Sequence, residues 1–89
     1  MSTDGNSWKE VNYYPDGRQQ KALQKDFTFQ NFAQALDFVN NVAKISEAQQ
    51  HHPDINFGWG YARVWSTTHD AHGISDKDYQ LVKSIDEIV

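Results

Sequence analysis

The chain lacks cysteine altogether, which excludes a disulfide framework and any Cys-based zinc site. Proline occurs twice, at Pro15 and Pro53, so long uninterrupted elements are permitted between those two breakers. Basic residues are few: eight Lys and Arg against twelve Asp and Glu leave a formal charge of −4, with no Lys/Arg run. That balance argues against direct binding of a nucleic-acid backbone, which calls for a basic face. No apolar run approaches the ~20 residues of a membrane span. The opening residues 1–7 are polar and lack the apolar stretch of a secretory signal. A soluble cytoplasmic domain is the expectation, with residues 1–7 as a disordered lead-in and 8–89 as a single domain. There is no internal repeat and no low-complexity segment.

What is present is aromatic. Three Trp, four Tyr and five Phe in 89 residues supply large areas for burial. A domain of this size is near the lower end of what can build a self-sufficient core, so association with further copies is expected. Residues 8–14 suit a strand, Pro15-Asp16-Gly17 a turn, and 22–28 a second strand, with Arg18–Lys21 as a solvated tip. From about residue 30 to 49 the period becomes helical: Phe32, Ala35, Leu36, Val39, Val42 and Ala43 form one stripe, with Phe38 off its centre. Pro53 ends that helix near Gln50 and pushes His52 towards an extended conformation. Residues 55–58 and 61–67 read as two more strands. Ser75 followed by Asp78 predicts a capped final helix with Leu81, Val82, Ile85 and Ile88/Val89 on its apolar side. The order β-β-α-β-β-α predicts an α+β fold, a four-stranded antiparallel sheet with helices on one face.

The chemistry is concentrated. All four histidines, His51, His52, His69 and His72, fall in one window, together with Glu47, Trp59, Thr67 and Thr68. Histidine titrates near neutral pH and is the usual general acid or base. His51 and His52 stand where helix gives way to strand, a loop held by rigid elements on both sides. His69-x-x-His72 has a spacing seen among metal ligands, but a metal is not expected.

Glu47, His51-His52-Pro53, Trp59, His69 and Asp78 occur at intervals that resemble the signature of the pterin-4a-carbinolamine dehydratase family. Phe27-Thr28-Phe29-Gln30-Asn31-Phe32 and Thr68-His69-Asp70 with Gly73-Ile74-Ser75 are similar to that family too, so the likeness covers roughly residues 22–86. Against the family pattern, the expectation for this sequence is that the family's first helix is absent and the first hairpin several residues longer.

The resemblance implies the same α+β fold and a hydro-lyase that converts 4a-hydroxytetrahydropterin to quinonoid dihydropterin, supporting tetrahydropterin recycling. It implies His51 and His69 as the acid–base pair, and His52, Glu47, Thr67, Thr68 and Trp8 as substrate-binding residues. Glu47 either orients an imidazole or meets the pterin's amino-pyrimidinone edge. Trp59 is expected to be structural and Asp78 to act as a helix cap. No cofactor is implied; the partners are the pterin and further copies in a homodimer or homotetramer. The alternatives are a non-catalytic interaction module that stabilises a transcription-factor dimer, and a dehydratase-like protein of molybdopterin metabolism.

Overall fold

A computed structural model describes residues 7–14, 16–71 and 73–89. Most of the expected lead-in, Pro15 of the expected turn, and His72 lie outside the described residues. Strands β1 (Lys9–Tyr13), β2 (Gln20–Thr28), β3 (Asp54–Gly58) and β4 (Tyr61–Ser66) and helices α1 (Phe32–Gln49) and α2 (Asp76–Glu87) follow the predicted β-β-α-β-β-α order. The four strands form one antiparallel sheet in the order β1-β2-β4-β3.

Alternation along the strands divides the sheet into two faces. Leu23, Phe27, Ala62 and Val64 are buried beneath the helices. The open face carries Arg63, which holds Asp26 through two bonds of 2.6 and 3.0 Å. It also carries Tyr13, stacked on Trp65 at 5.3 Å and donating to Asp54. Partial burial, then the bond to Asp54 and its charge, push the Tyr13 phenol well above its usual range. Gly60 has φ +82 in the tight turn between β3 and β4, a backbone that L side chains rarely adopt.

Two local expectations change. Gln20 pairs with Tyr13 and Lys21 with Asn12, so these residues belong to β2 rather than to a solvated tip. The buried line of α1 is Ala35, Phe38, Val42 and Ser46, whereas Phe32 and Leu36 are exposed. Phe38 is the centre of that face because Phe27 and Phe29 of the sheet side meet its ring at 4.6 and 5.2 Å. Phe27, Phe38, Val42, Ala62, Val64, Leu81 and Ile85 form the core. Each large apolar side chain there contributes roughly 1.5–3 kcal/mol by leaving water. Ile88 and Val89, expected on the apolar side of α2, lie past its last residue and are exposed.

The helix ends matter most for the site. Asn31 caps α1 by accepting from the Gln34 amide at 2.9 Å. At the other end Gln50 takes φ +54, and its amide and that of His51 both return to the Ser46 carbonyl. Ser75 and Asp78 form the expected reciprocal capping box of α2.

Candidate active site

The left-handed turn at Gln50 and the extended run to Pro53 send adjacent histidines to different places. His51 turns inward, with only 12% of its side chain exposed, and its Nε2 lies 2.7 Å from Asp78 Oδ1. His52 folds back over the helix end, with Nε2 2.5 Å from Glu47 Oε2, and both partners are open to solvent. Of the two roles open to Glu47, this geometry displays the orientation of an imidazole.

Asp78 is the hub of the cluster. It is fully buried, and four strong donors surround its two oxygens. Oδ1 accepts from His51 and from Ser66 Oγ at 2.6 Å. Oδ2 accepts from Thr68 Oγ1 at 2.6 Å and from the Ser75 amide at 2.9 Å. Burial by itself would raise this acid. The bonds from Ser66, Thr68, His51 and Ser75 outweigh it and hold the carboxyl below its usual range. Asp78 is therefore an anion, and His51 must present Nε2–H to it. Among the described residues Nδ1 of His51 has no hydrogen-bond partner, so it is the nitrogen left for chemistry. The expectation that Asp78 serves as a helix cap holds, but the cap is also the anchor of His51.

Thr68 couples this anchor to the second histidine. Its backbone pairs with Gly73 through N–H···O bonds of 2.6 and 3.1 Å, closing a short loop that carries His69 in a single 3₁₀ turn, His69–Ala71. His51 and His69 thus belong to segments tied to opposite oxygens of one carboxylate. Thr67 is turned the other way: its hydroxyl donates to the Lys21 carbonyl and accepts from Gln20 Nε2, both at 2.7 Å. These bonds fasten the His69 loop to the start of β2. His69 itself is exposed, near Asp16 of the hairpin tip, whose carboxyl is lowered chiefly by the bond from the Arg18 backbone amide.

Two expected residues stand apart from the cluster. Trp8 lies edge-on to Phe27 and donates to Asp86 Oδ1 at 3.0 Å. Asp86 is eight residues along α2 from Asp78, about 12 Å at the rise of a helix. Trp59, expected to be structural, is 71% exposed in the β3–β4 turn. No group of three or more metal-ligating side chains occurs among the described residues. The donor that sequence reasoning missed is Ser66. Ser66 had a signal: it occupies the buried parity of β4 with Ala62 and Val64, and a buried hydroxyl requires a partner.

Comparison with known proteins gives this geometry a family. Residues 2–88 match the family model described as pterin 4 alpha carbinolamine dehydratase. A provisionally named pterin-4-alpha-carbinolamine dehydratase of Methylococcus capsulatus is 44% identical over 66 residues, 74% of this chain and 58% of that one. One from Picosynechococcus sp. is 36% identical over 87 residues and covers 97% of this chain and 95% of its own. The chain spans about three fifths of the length of the first three curated relatives it matches. Among solved structures, a transcriptional coactivator/pterin dehydratase from Brucella melitensis superposes with a TM-score of 0.77 at 27% identity, covering 91% of this chain and 80% of that one. A pterin dehydratase-like protein identified as a RuBisCO assembly factor in the alpha-carboxysome gives 0.73 at 25% identity, covering 93% and 89%.

Proposed function

The chain belongs to the pterin-4a-carbinolamine dehydratase family, and we propose that it catalyses the family reaction, loss of water from a 4a-hydroxytetrahydropterin. The observation that carries this reading is the buried Asp78 carboxylate holding His51 at the end of α1. In the reaction the C4a–O bond breaks and the hydroxyl leaves as water after gaining a proton. N5 gives up its proton, and the electron pair closes the N5=C4a double bond of the quinonoid product. One group must supply a proton and another must accept one.

We assign His51 to proton uptake through Nδ1. The anion at its back stabilises the imidazolium that forms, as a buried carboxylate does behind a catalytic histidine. His69, exposed on the neighbouring loop, supplies the proton to the departing hydroxyl. The exposed Glu47–His52 pair offers a carboxylate and an imidazole to the substrate's amino-pyrimidinone edge. Thr67 and Thr68 contribute through backbone and loop placement, because their hydroxyls are taken by Lys21, Gln20 and Asp78. The chemistry requires no cofactor. A cytoplasmic place in pterin recycling fits the reaction.

A second reading is favoured by the two solved relatives, whose descriptions include a coactivator and an assembly factor. Under it the fold serves as a protein-binding module. Assay of carbinolamine dehydration by the purified protein separates the two: turnover above the spontaneous rate supports the enzyme, and turnover equal to it supports the module.

A further inference from the structure

Ser66 and His51 reach the same oxygen from different elements. Ser66 closes β4 on the core side and is fully buried; its Oγ donates to Asp78 Oδ1 at 2.6 Å, beside His51 Nε2 at 2.7 Å. On the other oxygen, Thr68 and the Ser75 amide complete the set. An ionised carboxylate has about four lone-pair sites, and here each has a donor. The arrangement leaves the carboxyl no freedom to rotate and no site for a stray water.

We propose that Ser66 is a positioning residue for His51, acting through Asp78. Its hydroxyl pins the carboxylate oxygen that receives His51 Nε2–H and so fixes the tautomer that turns Nδ1 towards the substrate. The catalytic part of this inference rests on the dehydratase reading above; the tautomer part does not. The other titratable groups around the pair are few. Glu47 and His52 at the end of α1 are bonded to each other, and Asp54 after Pro53 is taken by Tyr13. His69 is exposed on its loop, and Asp76 and Lys77 are exposed on the first turn of α2. None of these is bonded to either oxygen of Asp78 among the described residues.

Two variants test the role. Ser66→Ala deletes the hydroxyl, and Ser66→Cys nearly keeps the volume while weakening the donor. The first measurement is the ¹⁵N signature of the His51 ring in the substrate-free protein. Wild type should show Nε2–H alone, whereas both variants should show an admixture of the second tautomer. The second is unfolding stability against pH. Because Ser66 helps keep Asp78 ionised, its loss should destabilise the fold at neutral pH, and the difference should shrink as acid protonates Asp78. A packing defect would cost the same at every pH.

The third is turnover: kcat should fall about tenfold in both variants, as for loss of one bond to a charged group, with KM changed less. Unchanged ring signals in folded Ser66→Ala, or a Cys variant indistinguishable from wild type in all three measurements, would overturn the proposal. If the wild type has no dehydratase activity while the ring signals still depend on Ser66, the functional reading falls and the positioning role stands.

Discussion

His51 Nε2 lies 2.7 Å from Asp78 Oδ1 across 27 residues of sequence, and the same carboxyl closes the first turn of α2. One buried anion therefore serves as helix cap and histidine anchor. Under the dehydratase reading, stability and catalysis are coupled through it.

Replacement of Asp78 by Asn should be costly on both counts. The amide keeps one acceptor oxygen but sets an NH₂ group among donors. Removing one partner of a buried charged pair typically costs about 3–5 kcal/mol, so denaturant unfolding should show a large fall in midpoint. The pH dependence has a definite sign. Asp78 is depressed in the folded chain, so its stabilisation is complete above the ordinary carboxylate range and disappears as pH falls through the depressed value. Wild type should lose stability steeply in acid, and Asp78→Asn less steeply. Equal acid sensitivity of the two proteins would remove Asp78 from the account.

The histidines should separate by kinetic parameter. His51→Ala and His69→Ala should each lower kcat by roughly 10²-fold, the scale of a positioned acid or base. Spontaneous dehydration sets a floor to the measured loss. His52→Ala and Glu47→Gln should act mainly on KM, since a binding contact is made in ground and transition states alike. A folded protein lacking both His51 and His69 with wild-type turnover would transfer the chain to the interaction-module reading.

Much of this arrangement is legible in the residues because it is local. Pro53 stops α1, Ser75 and Asp78 announce a cap, and alternation along residues 61–66 separates core from open face. What escapes is whatever another element decides. Phe38 looks off-centre in its own helical stripe, yet Phe27 and Phe29 select it as the packed residue. Asp78 reads as a cap because the local reason for it is sufficient, while Ser66, Thr68 and His51 arrive from distant segments. Trp8 shows the same limit: its place in the family pattern suggests the rim, and nothing local announces the contacts it makes with Asp86 and Phe27.

Association remains an expectation with a physical basis. β1 and β3 are the outer strands of an open sheet, and unpaired strand edges invite coverage. Phe32, Leu36, Trp59 and Tyr61 are large and exposed. Light scattering at micromolar concentration should report a dimer or a tetramer. A monomer under those conditions would show that these edges and side chains stay open.

Trp8 supplies the last test, because its two possible duties predict opposite results. Its indole N–H and the Lys25 ammonium, at 2.9 Å, meet the same Asp86 oxygen. Lys25 is buried on the core side of β2, so this contact ties the start of the sheet to the end of α2. Trp8→Phe keeps a ring against Phe27 and removes the donor. A bond of this kind contributes about 0.5–1.5 kcal/mol, and about 1 kcal/mol shifts Tm by roughly 4–8 °C in a domain of this size. The variant should therefore melt several degrees lower and keep its KM for the pterin within about twofold, the scatter expected when no substrate contact is lost. A tenfold rise in KM with an unchanged Tm would return Trp8 to the substrate rim.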